Sequence, residues 1–244
     1  MLRLFYFIAI IPFILILIYI IYVPVAVQAI GNSDIIFEDI SIEDGLSQSS
    51  VYSITQDKYG YLWFGTRDGL NKYDGIEFTI YRNNPKDTES LSGNDIRSIY
   101  EDNNDQLWIG TDYGLNRYDR DTDSFVRYFN IPDDPNSISG DYIRSIYEDH
   151  NDQLWVGTND GLNRYDKYTD TFQQYTHNPF DENSLSKNAI WSIYEDNQGI
   201  IWVGTLGGGV NKLDYHKQSF KNFKNIPNNY DSLSNDAIWS IYED

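Results

Sequence analysis

The carboxylates with the spacing of a metal site lie in one short segment. Asp119, Asp121 and Asp123 alternate along the chain, as the first ligands of a calcium-binding loop do. The glycine and the closing glutamate of such a loop are missing, and the equivalent segment 166–170 lacks the middle carboxylate. We therefore predict a solvated hairpin turn at 119–123 and no metal site.

The three histidines do not form a catalytic group in the sequence. His150, His177 and His216 stand at unrelated places in the chain and are expected to be surface turn residues. No Gly-x-Ser-x-Gly motif, phosphate-binding glycine loop or zinc-binding histidine spacing occurs. The sequence thus predicts no catalytic residues and no cofactor, and it disfavours an enzyme acting on a carbohydrate or a lactone.

A set of polar and aromatic residues at equivalent positions provides the candidates for binding. Four times an Asn or Asp is followed three residues later by an Arg or a Trp, within otherwise similar sequence. Variation at one place in a repeated frame is what a recognition surface requires. An equally open alternative is that each Asn or Asp only caps a turn. The candidate ligand-binding residues are Asn94, Arg97, Asp141, Arg144, Asn188, Trp191, Asp236 and Trp239.

An internal repeat must position these candidates. Ser-Ile-Tyr-Glu-Asp at 98–102 recurs at 145–149, 192–196 and 240–244, with a looser copy at 53–57. Six residues after each of the first four aspartates stands a tryptophan that begins Trp-x-Gly-Thr, and the tryptophans are 45, 47 and 47 residues apart. We predict that they anchor packing and do not stack on a ligand. They are Trp63, Trp108, Trp155 and Trp202.

The repeat predicts an all-β fold. Each copy has four short apolar or aromatic runs separated by Asn, Asp and Gly, which is typical of strands joined by hairpin turns. Four antiparallel strands with a period of about 45 to 50 residues form one β-propeller blade. We predict an incomplete propeller ring of four full blades and terminal strands. The blades span 46–82, 91–129, 138–176 and 185–224, with 233–244 as the inner and 35–42 as the outer strand of a partial fifth blade.

The last copy of the repeat ends at Asp244, where only an inner strand is predicted. In a closed ring, an N-terminal outer strand completes the blade that the C-terminal strands begin, so that no strand edge is exposed. The second and third strands of that blade are missing. We therefore expect the sequence to be a fragment of a longer protein.

Composition excludes one class of partner. Eighteen Lys and Arg against 37 Asp and Glu give a net charge of -19, which repels nucleic-acid phosphates. No nucleic acid is therefore expected to bind this region. Cysteine is absent, so that the chain tolerates an oxidising compartment.

The N-terminal 29 residues differ from the rest. An apolar run from Leu4 to Val27 follows Arg3 and precedes Ala29. This pattern predicts an export signal at 1–29, and the run is also long enough for an uncleaved membrane anchor. Either alternative sends residues 30–244 across a membrane, to the periplasm or another extracytoplasmic compartment.

The motifs resemble those of the two-component regulator propeller repeats of bacterial membrane sensors. The resemblance rests on Ile-x-Ser-Ile-x-x-Asp, Leu-Trp-x-Gly-Thr and Gly-Leu-Asn-x-Tyr-Asp, preceded by Glu-Asp-Gly-Leu-Ser at 43–47, and it covers the chain from about residue 34. The sequence departs from the pattern at 206–209, where the turn is one residue longer than in the other copies. The resemblance implies a periplasmic sensor region, followed in the family by a histidine kinase or a diguanylate cyclase.

The sequence and the resemblance together predict a ligand-sensing propeller, the N-terminal part of a sensor histidine kinase. The expected ligand is an unidentified small molecule or glycan. A homodimer of the full-length sensor stays open. The membrane is a partner if the N-terminal segment is uncleaved. The alternatives are the sensor domain of a diguanylate cyclase and a secreted scaffold that binds a protein.

Overall fold

The computed structural model describes residue 37 and residues 39–244, so that the predicted export segment 1–29 lies outside the described residues. Sixteen strands are described. They are β1 (Val51–Gln56), β2 (Leu62–Thr66), β3 (Gly69–Tyr73), β4 (Phe78–Tyr81), β5 (Ile96–Glu101), β6 (Leu107–Thr111), β7 (Gly114–Asp119), β8 (Ser124–Tyr128), β9 (Ile143–Glu148), β10 (Leu154–Thr158), β11 (Leu162–Asp166), β12 (Thr171–Tyr175), β13 (Ile190–Glu195), β14 (Ile201–Thr205), β15 (Val210–Asp214) and β16 (Ser219–Phe223). Within this part of the chain, no helix has the length and apolar character needed to cross a membrane.

Each run of four consecutive strands forms one antiparallel sheet in chain order. We call these sheets blade 1 (β1–β4), blade 2 (β5–β8), blade 3 (β9–β12) and blade 4 (β13–β16). The first strand of each blade is the inner strand, and the inner strands β1, β5, β9 and β13 contact one another in sequence. The all-β fold of four-stranded propeller blades in an unclosed ring is thereby confirmed.

The tryptophan of each repeat lies between two blades. Trp63 of blade 1, for example, belongs to a buried cluster whose other members, except Leu70 and the loop residue Leu91, come from blade 2, among them Ile96 and Phe125. Trp108 and Trp155 occupy the same place towards blades 3 and 4. These three tryptophans are at most 1% exposed, which is consistent with the predicted packing role. Trp202 is half-buried and contacts Phe223 of its own blade.

A glycine in the second strand permits the blades to approach each other. A Cβ atom at Gly157 would lie 2.6 Å from Cγ2 of Ile190, the first residue of the next inner strand. Gly65 and Gly110 stand in the same relation to the following blade. The Gly of Trp-x-Gly-Thr is therefore required by close contact between blades.

A buried polar network joins each blade to the loop that precedes it. In blade 2, Asn116 accepts the backbone N–H of Ser92 at 2.8 Å, and its Nδ2 donates to Ser92 Oγ at 2.8 Å and to the Ile109 carbonyl at 3.2 Å. Thr111 and Asn116 are fully buried, so that these bonds satisfy groups that water cannot reach. This arrangement explains why Ser, Thr and Asn recur with the apolar residues.

The predicted outer strand at 35–42 requires correction. Within its described residues, 37 and 39–42, no strand is formed, and Ile42–Asp44 is a 3-10 turn. Ser41 caps this turn, since its side chain accepts the Glu43 N–H and its own N–H donates to the Asp44 carboxylate. The capping residues favour a turn over an extended strand.

The predicted inner strand at 233–244 also requires correction. It forms only one isolated bridge, between Ala237 and Leu206, together with a hydrogen bond from Ile238 N–H to the Thr205 carbonyl. Ile238 nevertheless lies against Gly204 of blade 4. The first residue of each other inner strand after β1 contacts the equivalent glycine of the preceding blade in the same way. Within the described residues, the segment 233–244 has no second strand beside it, and a ladder of hydrogen bonds needs one.

Candidate ligand-recognition site

The second residue of every inner strand lies on one line across the blades. Tyr52, Arg97, Arg144 and Trp191 occupy this position in β1, β5, β9 and β13, and Trp239 occupies it in the last repeat. Successive inner strands contact each other, so that these side chains become neighbours although they are 45 to 48 residues apart in the sequence. The predicted residues at positions 97, 144, 191 and 239 are thus brought together.

Aromatic rings and guanidinium groups form a continuous row along this line. The guanidinium carbon of Arg97 lies 4.5 Å from the ring centroid of Tyr52 and 5.6 Å from that of Tyr142. Arg144 lies 4.6 Å from the ring of Tyr142 and 4.4 Å from the ring of Trp191. Cation–π attraction stabilises such contacts. We call the row the aromatic–arginine ladder; its members are Tyr52, Arg97, Tyr142, Arg144, Trp191 and Trp239.

The ladder ends in an exposed aromatic side chain. Trp239 meets Trp191 edge to face, with ring centroids 3.9 Å apart, and Trp239 is 67% exposed. At the other end, Tyr52 is 42% exposed. The ladder therefore offers ring faces at both ends and charged groups between them.

Part of the hydrogen-bonding capacity of the ladder is unused. Arg144 Nε donates to Asn159 Oδ1 at 2.7 Å, and Arg97 pairs with Asp95. Burial, with a smaller effect from Arg97, lowers the pKa of Arg144 from its ordinary value. Among the described residues, Arg97 Nε and Trp191 Nε1 have no hydrogen-bond partner although both atoms are buried. Buried donors without partners are energetically unfavourable.

The four Asn and Asp candidates have a structural role. Each side-chain Oδ1 accepts a backbone N–H from the residue eleven positions earlier, at 2.6 to 2.7 Å, which closes the loop between two blades. The donors are the backbone N–H groups of Asn83, Asn130, His177 and Asn225. This bond supports the alternative that Asn94, Asp141, Asn188 and Asp236 cap a turn. A contact between these four residues and a ligand stays a prediction.

Two members of the ladder were absent from the sequence prediction. Tyr52 stands 45 residues before Arg97, so that extending the repeat to the first copy would have found it. Tyr142 follows Asp141 in the loop before β9, at a position that varies between the repeats, since the equivalent residues 95, 189 and 237 are Asp and Ala, but it was not among the candidate residues. Only the structure reveals that its ring lies between two guanidinium groups.

The alternating carboxylates at 119–123 are held by the protein itself. Asp119 accepts the backbone N–H groups of Asp121 and Thr122 at 2.9 and 3.3 Å. Asp123 accepts the hydroxyls of Tyr118 and of Tyr81, which belongs to the preceding blade, at 2.5 and 2.7 Å. The segment is a turn that also joins two blades, and no group of three metal-binding side chains is found in the described residues.

Comparison with known proteins identifies the repeat. A sequence model described as two component regulator propeller matches residues 45–68, 90–113, 137–160 and 184–207. Each match includes the Asp and Trp of one repeat and the glycine that meets the next blade. The four matches thus coincide with the blade repeats that the structure shows.

Solved structures and a curated relative agree with this match. An extracellular domain assigned to a hybrid two-component system of B. thetaiotaomicron is 34% identical, with a TM-score of 0.70 over 76% of this chain and 26% of that one. A second such domain is 30% identical, with a TM-score of 0.59 over 70% of this chain and 24% of that one. Histidine kinase P4 of Formosa agariphila is 62% identical over 60 residues, which are 25% of this chain and 4% of that protein.

The chain spans about a quarter of the length of those two extracellular domains and a much smaller part of the kinase. The shared features are the four-stranded blades and the repeat motifs that join them. The chain therefore belongs to the two-component regulator propeller family.

Proposed function

We propose that this chain is the ligand-recognition part of an extracytoplasmic sensor that controls a histidine kinase. The similarity to extracellular domains of hybrid two-component systems supports this role, as does the match to a histidine kinase. The apolar run at 4–27 supports export, with the membrane as a partner if the segment is not cleaved. The match to a kinase favours that output over a diguanylate cyclase.

The aromatic–arginine ladder is the observation that carries the proposal. It crosses all four blades at equivalent positions, which hold Tyr, Arg, Arg and Trp in blades 1 to 4 while the motifs around them repeat. A row of different side chains on a repeated frame can distinguish one ligand from another. The exposed rings of Tyr52 and Trp239 supply contact surface for that ligand.

The composition of the ladder defines the class of ligand. Tryptophan and tyrosine rings contact flat apolar faces, and guanidinium groups donate to hydroxyl or carboxylate oxygens. A sugar ring has both kinds of surface. We therefore propose a glycan as the ligand, in preference to a small molecule without hydroxyl or carboxylate groups.

A binding experiment on the full chain tests this proposal. The purified protein, in a non-ionic detergent because of residues 4–27, is screened against neutral and acidic oligosaccharides, and each interaction found is measured by calorimetry. Arg144→Ala and Trp239→Ala should each weaken binding about tenfold or more, since arginine and tryptophan dominate most recognition surfaces. Lys86→Ala, an exposed substitution away from the ladder, should leave the affinity unchanged.

Two outcomes would contradict the proposal. The first is that no oligosaccharide binds at millimolar concentration. The second is that an oligosaccharide binds equally well to the wild-type chain and to both ladder variants, which would place its site elsewhere. Circular dichroism confirms in each case that the variant is folded.

A further inference from the structure

Every interface between consecutive blades has the same pair of acidic side chains at one end. One member is the Asp that accepts the tryptophan N–H of the earlier blade, and the other is the Glu that ends the inner strand of the later blade. In each case the Glu also accepts the backbone N–H of the residue after that Asp, at 2.7 to 2.8 Å. The pairs are Asp57 and Glu101, Asp102 and Glu148, and Asp149 and Glu195.

At the first interface, an arginine of the chain joins the two carboxylates. Arg120 donates from Nη1 to Asp57 Oδ2 at 2.8 Å and from Nη2 to Glu101 Oε1 at 2.7 Å. The Asp57 side chain is fully buried under this guanidinium, and the Arg120 side chain is 21% exposed. A planar fork with two charge-assisted bonds suits two acceptors on different blades.

At the third interface, other side chains lie beside the acidic pair, where Arg120 lies at the first interface. His150 pairs with Oε1 of Glu195. Tyr215, which is equivalent to Arg120 in the repeat, meets the ring of Trp155 at 6.0 Å and accepts a hydrogen bond from Arg164. Asp149 is buried there.

In the described structure, the second interface has no such group. The residue equivalent to Arg120 is Lys167, whose exposed ammonium lies 5.9 Å from the ring of its neighbour Tyr168 and forms no ion pair with Asp102 or Glu148. Glu148 is 93% buried, since its exposed fraction is 7%. Within the described part of the chain, its Oε2 accepts Asn103 N–H, while its Oε1 has no partner.

A cavity of about 480 Å³ opens at this place, between blades 2 and 3. Glu148 and Asp102 line it, together with the rings of Trp108 and Tyr165 and with Lys167 at its edge. The volume is within the range of small-molecule sites. Burial also raises the pKa of Glu148 above its ordinary value, as expected for a carboxylate without a cation.

We propose that this cavity binds the guanidinium group of a small-molecule ligand, which takes the position that Arg120 holds at the neighbouring interface. One nitrogen donates to Oε1 of Glu148 and another to Oδ2 of Asp102, which among the described residues accepts only the Trp108 N–H. A guanidinium fits better than an ammonium, because a single ammonium is a point charge without the planar fork.

Two further cations of the cavity wall indicate the other end of the ligand. Arg117 and Arg164 line the cavity, and they contact the hydroxyls of Tyr165 and Tyr215 at 3.2 and 3.3 Å. Arg117 also lies 3.5 Å from Asp170. Their remaining donors favour a carboxylate on the ligand, so that free arginine should bind more tightly than agmatine, its decarboxylated analogue.

Calorimetric titration of the full chain in detergent tests the site with L-arginine, agmatine and L-citrulline. L-arginine and agmatine should bind with one site per chain, whereas L-citrulline, which has the same shape but a neutral ureido group, should bind at least tenfold more weakly. Glu148→Gln should weaken L-arginine binding at least tenfold. Lys86→Ala, an exposed substitution away from the cavity, should leave it unchanged.

Substitutions that exchange the residue types at the equivalent positions 120 and 167 provide the decisive comparison. Lys167→Arg should fill the cavity from within the chain, so that L-arginine binding is lost and the melting temperature rises. Arg120→Lys should empty the first interface and raise the number of sites from one to two. Because Lys167→Arg alters an exposed side chain, it keeps the test valid even if Glu148→Gln fails to fold.

Three results would overturn the proposal. The first is that neither guanidinium compound binds at millimolar concentration. The second is that L-arginine binds equally to wild type and Lys167→Arg. The third is that a Lys167→Ala variant binds L-arginine while the wild-type chain does not, which would mean that Lys167 fills the cavity in the natural chain. None of these results depends on the glycan site, because the ladder lies on other residues.

Discussion

Asp149 holds Trp155 in place while it also closes the turn between their strands. Its Oδ2 accepts the indole N–H at 2.9 Å, and its Oδ1 accepts the backbone N–H groups of Asn151 and Gln153 at 2.9 and 3.1 Å. The other three repeats have the same bonds. The six-residue spacing between Asp and Trp is therefore a consequence of one carboxylate that serves a turn and a buried ring together.

Replacing this carboxylate should destabilise the protein. In Asp149→Asn, one side-chain oxygen becomes an NH₂ group. Either the buried indole N–H or the backbone N–H groups of the turn therefore lose their acceptor. We expect the free energy of unfolding to fall by about 1 to 3 kcal/mol, measured by urea denaturation. Asp160→Asn is the control, because Asp160 is exposed and its side chain accepts no hydrogen bond from the described residues. Equal effects of the two substitutions would contradict the assigned role.

The tryptophans themselves should differ in their importance. Trp108 is 1% exposed in the cluster between blades 2 and 3, and Trp202 is only half-buried. Trp108→Ala should lower the free energy of unfolding by about 3 to 5 kcal/mol, as truncation of a large buried ring does. Trp202→Ala should have a clearly smaller effect in the same thermal and urea unfolding experiments. A loss below about 1 kcal/mol for Trp108→Ala would contradict the packing role.

The blades could be predicted from the sequence because every copy of the repeat bears the same structural constraints. Trp108 and the glycine at 110 face the next blade, and Asp102 must lie six residues before the tryptophan. The terminal strands were predicted wrongly for a complementary reason. Strand formation depends on a paired neighbouring strand, and among the described residues 233–244 has only the single bridge between Ala237 and Leu206, whereas Ser41 caps a turn at Ile42–Asp44.

The candidate site was only partly predictable. Arg97, Arg144, Trp191 and Trp239 were found because they vary within a fixed frame, and the structure places them in one row. The role of the four Asn and Asp residues could not be resolved from sequence, since a side-chain oxygen that closes a loop and one that binds a ligand have the same residue type. The cavity beside Glu148 exists because no cationic side chain reaches Asp102 and Glu148. A lysine at position 167 does not by itself show whether its ammonium pairs with these carboxylates, so that the sequence could not predict the cavity.

Contact between blades should couple Gly157 to Ile190. Gly157→Ala introduces a Cβ atom 2.6 Å from Ile190 Cγ2, which should lower the free energy of unfolding by about 1 to 3 kcal/mol through overpacking. A double-mutant cycle with Ile190→Ala provides the control, because it removes the contact with Cγ2 and leaves the contacts of the new methyl group with Ser145 Oγ and with Cβ of residue 190. We expect a coupling free energy of about 0.5 to 3 kcal/mol. Additive effects would show that the two residues do not meet in solution.

The bonds of Asp57 should make the stability of the protein depend on pH. Burial, the largest single influence, raises the pKa of Asp57, but hydrogen bonds from Trp63, Arg120 and the Tyr61 backbone outweigh it and lower the pKa below the ordinary 3.8. The unfolded chain therefore binds this proton more readily than the folded one. It follows that the stabilisation is present above the unfolded value and is lost as the pH falls through the lower folded value.

Urea denaturation between pH 7 and pH 3 measures this effect when wild type and Asp57→Asn are compared. Asparagine does not titrate, so that the difference between the two free energies of unfolding isolates Asp57 from the other carboxylates. The difference should be constant at neutral pH and should shrink below about pH 4, where the unfolded aspartate takes up its proton. A difference that stays the same down to pH 3 would mean that Asp57 does not gain its proton on unfolding in this range. A difference that grows as the pH falls would mean that its pKa is raised in the folded protein, and that Arg120 and Trp63 do not stabilise its charge.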